Sequence, residues 1–195
     1  IGGIANITST VDWNNFLQSE KIYAYDIGPG NCLIDEWIRK NSKNEYDDKG
    51  SIAKSGKVDK LTLNQALENF NNNSNYEKSL DIKDFDIFCS KGLSLENGAA
   101  TITEITTEIL SKKILEDNIY VCGGGRKNKF LIKRLEDKIS KTIKNIDSLG
   151  IDGSYIESQA FAYLAIRSFL KLPISFPDTT GCKKPCSGGI IVKNF

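Results

Sequence analysis

The stretch from residue 118 to residue 170 alternates short apolar runs with amphipathic segments, and this alternation strongly limits the folds open to the chain. Residues 118–122 form an apolar run typical of a buried strand, and three consecutive glycines follow them. Helical spacing of apolar residues over 128–140, a second strand pattern over 141–146 and an apolar helix over 155–170 complete the series. Strands that alternate with helices predict an α/β protein.

The first part of the chain adds strands to this series. Residues 1–8 and 22–25 are rich in Ile, Thr and Tyr, which predicts two strands, and 11–16 is a candidate middle strand. An amphipathic helix is predicted from Cys32 onward, after a Gly-Pro-Gly turn. A β-meander followed by βαβα crossovers predicts a mixed sheet with flanking helices, the order of a ribonuclease-H-like half-domain.

Residues 41–95 interrupt this order. They are polar and rich in Asn and Lys, and only 61–70 shows helical periodicity. They are predicted to form a polar, partly helical insertion or a peripheral subdomain. A long helix is predicted from about residue 99 to residue 115. The tail is predicted to be a loop with a last strand at 190–192.

Composition excludes several classes of function. The 195 residues are 39% apolar and 26% charged, as in globular domains, and carry 26 basic against 25 acidic residues. A net charge of +1 provides no general field for nucleic acid or an anionic membrane. No apolar run approaches the roughly 20 residues that span a bilayer, and no signal peptide is recognisable. We expect a cytoplasmic protein.

Three residue types constrain the chemistry further. The absence of histidine excludes imidazole bases and His-ligated metals. The absence of methionine indicates that a preceding segment has been removed or omitted. The five cysteines are odd in number and scattered, which favours reduced thiols over a disulfide framework. Cys182 and Cys186 lack the further ligands that zinc needs.

The strongest local motif is Gly123-Gly124-Gly125, between a predicted strand and a predicted helix. Glycines let the backbone approach a ligand closely, and a helix N-terminus favours anions. Arg126 and Lys127 add two positive charges at the same turn. A phosphate- or nucleotide-contacting loop is one interpretation, and a tight strand-to-helix turn is the other.

Two further positions resemble ligand sites. Gly2 and Gly3 lie at the start of the first strand. Paired glycines in a strand usually mark a bulge or the close approach of a ligand or another backbone segment. Asp26 follows a predicted strand and precedes a rigid Gly-Pro-Gly turn, so it is either a general base or the cap of a turn.

A group of carboxylates follows the last predicted strand of the alternating stretch. Asp147, Asp152 and Glu157 could bind Mg²⁺ or sugar hydroxyls. They could equally serve as helix caps and first-turn acids.

Four blocks of sequence, taken in order, resemble the anhydro-N-acetylmuramic acid kinase family, and the resemblance extends over nearly the whole chain. The blocks are Ile1-Gly2-Gly3-Ile4-Ala5-Asn6-Ile7, Tyr25-Asp26-Ile27-Gly28-Pro29-Gly30-Asn31, Val121-Cys122-Gly123-Gly124-Gly125-Arg126-Lys127-Asn128, and Asp147-Ser148-Leu149-Gly150-Ile151-Asp152-Gly153 with Glu157-Ser158-Gln159-Ala160-Phe161-Ala162-Tyr163-Leu164-Ala165. The tail Thr179-Thr180-Gly181 matches too.

The resemblance implies one lobe of the sugar kinase, Hsp70 and actin superfamily, in which ATP lies between two ribonuclease-H-like lobes. Such kinases convert 1,6-anhydro-N-acetylmuramic acid, ATP and water into N-acetylmuramic acid 6-phosphate and ADP in the recycling of peptidoglycan. By position, Asp26 matches the general base, which would activate the water that opens the anhydro bridge. The implied cofactors are ATP and Mg²⁺.

The resemblance also assigns binding residues. Gly2 and Gly3 match a phosphate-contacting turn, and Glu157 matches a carboxylate near the sugar. Gly123, Gly124 and Gly125, together with Asn128, match the loop on the adenosine side.

The chain matches only the C-terminal lobe of the family, over residues 1–195, and the N-terminal lobe with its phosphate loop has no counterpart. Two hypotheses remain open on this basis. The chain is either half of a kinase that acts with the other lobe in cis or in trans, or a remnant that keeps at most sugar or nucleotide binding. The resemblance also allows a homodimer.

Overall fold

A computed structural model of the chain describes residues 1–10, 22–73, 79–85 and 90–192. The chain divides into two compact units. The first consists of Ile1–Asn6 and Asp26–Gly153, and the second of Ile7–Tyr25 and Ser154–Phe195. The candidate middle strand at 11–16 lies outside the described residues.

The described strands form two small sheets. They are β1 (Ile4–Thr10), β2 (Ile22–Pro29), β3 (Ile119–Val121) and β4 (Ile143–Asn145). β1 pairs with β2, and β3 pairs with β4 in parallel, as expected for strands joined by a helix. The predicted α/β class is therefore confirmed, although the described strands make two separate pairs instead of one continuous mixed sheet.

Helices are the most abundant regular elements of the described chain. They are α1 (Cys32–Asn41), α2 (Ser51–Ser55), α3 (Lys60–Asn73), α4 (Leu95–Ser111), α5 (Lys129–Ile139), α6 (Ile156–Phe169) and α7 (Pro177–Thr180).

The start of helix α4 and the tail both differ from the sequence prediction. α4 begins four residues earlier than predicted, because the Ser94 hydroxyl accepts a hydrogen bond from Asn97 N at 3.2 Å and caps the helix. No strand forms at 190–192 within the described tail, which instead contains the short helix α7 with Pro177 at its first position.

Helix α4 is the centre of the first unit. Ile102, Ile105 and Ile109 lie on one face and are buried, as predicted, but four threonines of the same helix are fully buried too. Hydroxyl groups in a helix can bond to the preceding turn, and the Thr101 hydroxyl donates to Asn97 O at 2.7 Å. α4 is therefore buried on nearly all sides, and its hydrophobic periodicity understates this burial.

Residues 47–56, in the segment predicted to be an insertion or a peripheral subdomain, pack in the core of the first unit. The Asp47 carboxylate accepts hydrogen bonds from Ile52 N at 2.8 Å and Ala53 N at 2.9 Å, which caps α2 and places Ala53 in the core. A Cβ atom on Gly56 would lie 2.0 Å from Glu96 O, so the end of α2 packs directly on the start of α4. This part of the segment therefore belongs to the core of the first unit.

A cluster of charged side chains joins α4 to α5. The Glu104 carboxylate accepts hydrogen bonds from Arg134 Nη2 at 2.7 Å and from Lys138 Nζ at 2.8 Å, and Lys138 also pairs with Glu108. Burial alone would raise the pKa of Glu104, but the hydrogen bonds from Lys138 and Arg134 outweigh it and hold this pKa below its ordinary value. The cluster therefore fixes α5, and with it the preceding glycine loop, against α4.

Glu104→Gln is expected to lower the free energy of unfolding by about 2 kcal/mol at neutral pH, because two cations lose their buried partner. The carboxylate stabilises the fold when ionised, so this difference should shrink as the pH falls through the lowered pKa of Glu104. Urea unfolding at about pH 7 and about pH 3 measures both effects. Asp137→Asn, which removes an exposed pair with Lys133, is the control and should cost at most about 0.5 kcal/mol. An equal loss in both variants would contradict the role of the cluster.

The second unit is built around α6. Arg167 Nε donates to Pro173 O at 2.7 Å, which holds the chain that leaves the helix. Ser175 then pairs with Cys186 in an isolated antiparallel bridge.

The described cysteines, Cys32, Cys122, Cys182 and Cys186, form no disulfide in the structure. Among the described helices, none has the length and apolar character that a bilayer crossing requires.

Candidate functional site

Asp26 lies inside β2, not after it. The strand was predicted to end at residue 25, yet it continues to Pro29, a position where the missing N–H of proline is tolerated. Asp26 is half-buried, and its Oδ2 accepts a hydrogen bond from Leu80 N at 2.9 Å. The candidate base is therefore held on a strand by a main-chain donor.

The donor to Asp26 comes from a short turn that sequence reasoning missed. The Asp81 carboxylate accepts from Lys83 N at 3.0 Å, and the Asp84 carboxylate accepts from Asp81 N at 2.6 Å. These reciprocal bonds form a capping box, which fixes the backbone next to Leu80. In the sequence Asp81-Ile82-Lys83-Asp84, two aspartates three positions apart indicate this capping box. The polar residues around them make the pattern hard to recognise.

Gly30 brings the end of β2 against the first residues of the chain. Its N–H donates to Gly3 O at 2.8 Å, and the N–H groups of Asn31 and Cys32 donate to Gly2 O and Gly3 O at 2.8 and 3.1 Å. A Cβ atom on Gly30 would lie 2.1 Å from Gly2 O. The carbonyl groups of Gly2 and Gly3 are thus used to hold the N-terminus of α1.

Ile1 joins the same segment to the triple-glycine loop. Ile1 N donates to Cys122 O at 2.8 Å, and Gly125 N donates to Ile1 O at 2.9 Å. A Cβ atom on Gly123, whose φ is +79°, would lie 2.6 Å from Ile1 O. A Cβ atom on Gly125 would lie 2.5 Å from Ile1 Cγ2. Two of the three glycines are therefore required by close packing of the backbone.

Gly124 is different from its neighbours. A Cβ atom on Gly124 would meet no heavy atom within 4 Å, and its φ is ordinary. Packing within the described chain does not demand a glycine here. The open space over its Cα is where a ligand could approach the backbone of the loop.

Asn128 has a structural role in the described chain. It is 7% exposed, and its Oδ1 accepts a hydrogen bond from Leu131 N at 3.0 Å as the N-cap of α5. A Cβ atom on Gly50 would lie 2.3 Å from Asn128 Oδ1, so the backbone of Gly50 packs directly against the capping side chain. Asn128 therefore fixes the loop that carries the glycines, and its predicted contact with ATP stays a prediction.

Arg126, one of the two positive charges at the glycine turn, is hydrogen-bonded within the protein. Its guanidinium donates to Gly123 O at 3.0 Å, to Asp147 at 3.3 Å and to Asp152 at 3.4 Å. The hydrogen bond from Gly153 N lowers the pKa of Asp147; burial works against this, and Arg126 adds to the lowering. The arginine thus ties the loop after β4 to the glycine loop.

The carboxylates after β4 do not fit a Mg²⁺ site. Asp147 accepts from Arg126, Gly153 N and Asn145 Nδ2, as a capping aspartate does. No cluster of three or more Cys, Asp or Glu side chains suited to a metal ion occurs in the described residues. Glu157 lies exposed in the first turn of α6, in the second unit, whereas Asp26 belongs to the first.

Asp35 is a second half-buried carboxyl group close to these loops in sequence. Burial raises its pKa to about 6, Arg39 opposes this, and Asp47 adds to it. Sequence reasoning did not identify it, because an acid in the first turn of a helix is ordinary.

Asp35→Asn is expected to stabilise the fold at about pH 7.5. Above the raised pKa the carboxyl group is charged in both the folded and the unfolded chain, and below about pH 4 it is neutral in both. The free-energy cost of burying the charge is therefore present only at the higher pH. Solvent reaches about half of the group, which reduces the expected gain to about 1 kcal/mol. Unfolding by urea at about pH 7.5 and about pH 4 should show the gain only at the higher pH. The exposed Asp48→Asn serves as the control, and a gain of the same size at both pH values would refute the assignment.

Comparison with known proteins places the chain in a family. The family model described as Anhydro-N-acetylmuramic acid kinase matches residues 1–194. The Anhydro-N-acetylmuramic acid kinase of Pelagibacter ubique (strain HTCC1062) is 49% identical over 207 residues, which cover 100% of this chain and 54% of the relative. The enzyme of the same name from Brucella canis is 37% identical over 201 residues, which cover 99% of this chain and 52% of the relative.

Among solved structures, one similar chain is the activator of the 2-hydroxyisocaproyl-CoA dehydratase from Clostridium difficile with bound ADPNP. It has a TM-score of 0.47 and 14% identity, over 80% of this chain and 53% of that chain. The chain spans about half the length of the curated relatives it matches. It belongs to the anhydro-N-acetylmuramic acid kinase family.

Proposed function

We propose that this chain is the C-terminal lobe of a cytoplasmic kinase that hydrolyses and phosphorylates 1,6-anhydro-N-acetylmuramic acid with ATP. The products are N-acetylmuramic acid 6-phosphate and ADP. The observation that carries the proposal is the connection between the candidate base and the candidate nucleotide loop. Asp26 lies four residues before Gly30, Gly30 packs on Gly2, and Ile1 packs on Gly123 and Gly125.

Asp26 has the geometry of a general base. Its Oδ2 is held by Leu80 N, and its Oδ1 has no hydrogen-bond partner within the residues that the structure describes. This oxygen would accept a proton from the water that attacks the anomeric carbon. The anhydro bridge then breaks at that carbon, and the freed 6-oxygen takes the γ-phosphoryl group of ATP, with ADP leaving.

The glycine loop would position the nucleotide. Gly124 offers open space over its backbone, while Gly123 and Gly125 fix the loop against Ile1. Phosphoryl transfer depends mainly on positioning and charge neutralisation, so a rigid loop suits this role. No cluster of three or more Cys, Asp or Glu side chains occurs in the described residues, so we name no ligands of this chain for the implied Mg²⁺.

The remaining parts of the proposal concern partners. The curated relatives are about twice as long as this chain, and the other lobe, in cis or in trans, would supply the rest of the phosphate site. Glu157 would contact the sugar. A homodimer of the assembled kinase is compatible with this arrangement.

Product analysis tests the proposal. The chain is mixed with the part of the Pelagibacter ubique relative that has no counterpart here, and ATP and the anhydro sugar are added. Mass spectrometry should detect N-acetylmuramic acid 6-phosphate and ADP in equal amounts. N-acetylmuramic acid, which lacks the anhydro bridge, is the control substrate and should give far less product. A bound complex that yields no product would favour the inactive remnant.

A further inference from the structure

The Asp26 carboxylate is oriented by a segment far from it in the sequence. Its Oδ2 accepts a hydrogen bond from Leu80 N, 54 positions along the chain. The pairing of β2 with β1 fixes the backbone of Asp26, but the last torsion of an aspartate side chain has only a broad preference. The hydrogen bond from Leu80 N therefore sets the direction in which the other carboxylate oxygen points.

The position of this donor depends on the turn that follows it. Leu80 lies in neither a helix nor a strand, and a single helical turn, Ile82–Asp84, comes next. Asp84 Oδ2 accepts from Asp81 N at 2.6 Å, and Asp81 Oδ1 accepts from Lys83 N at 3.0 Å. Both N–H groups belong to the start of a helical turn, where the backbone offers them no partner. The two aspartates therefore fix the backbone directly after Leu80.

We call residues 79–85 the base-support turn, and its apolar side chains anchor it within the first unit. Ile82 Cδ1 would lie 3.9 Å from a Cβ atom on Gly3, so the two residues are in van der Waals contact. Phe85 packs against the hydrophobic core, and its ring stacks on Phe70 of α3 with centroids 5.9 Å apart. The turn and Asp26 both belong to the first unit.

The base-support turn is exposed between these anchors. Asp81 and Asp84 are exposed, and Ile82 is 52% exposed. Segments with few buried contacts open locally at low free energy, so such a turn needs its own hydrogen bonds to stay closed. The capping box provides these bonds, and they keep Leu80 N in place.

We propose that Asp81 and Asp84 are positioning residues, whose capping box holds Leu80 N where it orients the Asp26 carboxylate for proton transfer. The role of Asp26 itself rests on the proposed function. A general base must lie within hydrogen-bond reach of the proton that it takes, and a displacement of about 1 Å can cost about 100-fold in rate. The two aspartates act through Leu80 N and need no contact with the substrate.

Asp84→Ala tests the proposal in the assembled kinase. It removes the acceptor for Asp81 N and is expected to lower kcat at least about tenfold. The KM for ATP should change less than about twofold, because Gly3 is held by Gly30 N and Cys32 N independently of the turn.

Two further variants separate the hydrogen bond from charge and from stability. Asp84→Asn keeps an acceptor oxygen without the charge and should restore most of kcat. Asp59→Ala is the matched control, because Asp59 Oδ1 accepts from Thr62 N at 2.9 Å in a cap of the same kind at the start of α3. It should change kcat less than about twofold. An equal loss in Asp84→Ala and Asp59→Ala would overturn the proposal.

A double variant shows whether Asp84 acts through the base. In the Asp26→Asn background, Asp84→Ala should cause no further loss of kcat, because the carboxylate that the turn orients is already gone. A further tenfold loss in this background would mean that the turn acts on another part of the site, contrary to the proposal.

Amide hydrogen exchange tests the contact in the chain alone, without substrate. By NMR, the Leu80 amide should exchange at least about tenfold faster in Asp84→Ala and in Asp26→Ala, and at an unchanged rate in Asp59→Ala. An unchanged rate in Asp84→Ala would refute the proposal. If the Leu80 amide responds as expected but the assembled chains give no product, the proposed function fails and the orientation of Asp26 by the turn stands.

Discussion

Asp26→Asn is expected to lower kcat of the assembled kinase by about 10³-fold, the size of effect that general base catalysis commonly provides. An amide keeps the shape of the side chain and still accepts the hydrogen bond from Leu80 N, but it cannot take a proton from water. The loss should therefore appear in kcat, with the fold and the affinity for ATP retained. Product formation at saturating substrate, together with the thermal melting curve, separates these effects.

The control for this prediction is Asp117→Asn. The side chain of Asp117 is 92% exposed and pairs only with Lys141 in the described chain, so its loss should change kcat by less than about twofold. If Asp26→Asn keeps near-normal turnover, Asp26 is not the base. If it unfolds the chain, Asp26 has a structural role instead.

Gly30→Ala is expected to lower the free energy of unfolding by at least about 3 kcal/mol. The backbone conformation of Gly30 suits any residue, so the cost comes only from the methyl group. That group would lie 2.1 Å from Gly2 O, and a backbone atom cannot move aside as a flexible side chain can. The hydrogen bonds that join Gly2 and Gly3 to the start of α1 should be lost together.

Gly124→Ala provides the matched control for Gly30→Ala. Its φ is also ordinary, and its added methyl group would meet no heavy atom within 4 Å. Urea unfolding of both variants should show a large loss for Gly30→Ala and a change of less than about 0.5 kcal/mol for Gly124→Ala. Equal stability of the two variants would mean that the close approach of Gly30 to Gly2 does not hold the loops together.

The sequence predicted the elements that local patterns specify. The strand before Gly123, the helix after Asn128 and the apolar helix α6 lie within a few residues of their predicted places. The helix after Asn128 has a distinct hydrophobic period and a recognisable cap, the strand before Gly123 ends at a glycine turn, and α6 is marked by its long apolar sequence. The α/β class follows from their order along the chain.

Sequence patterns do not predict the hydrogen-bond and ion-pair partners of the site residues. Arg126 is one of two positive charges beside the three glycines in the sequence, and its side chain is only 6% exposed and pairs with Asp147 and Asp152 across the loop. The contact of Leu80 N with Asp26 joins residues 54 positions apart. Spacing along the chain reports which residues share an element, but not which loops meet in space.

Titration of the other half of the kinase tests the central claim most directly. The unmatched part of the Pelagibacter ubique relative is added in steps to a fixed amount of this chain, with ATP and the anhydro sugar in excess. Formation of the phosphorylated sugar should be absent at the start, rise with each addition and level off near one equivalent. Product formation by this chain alone, before any addition, would contradict the claim that it carries only half of the active site.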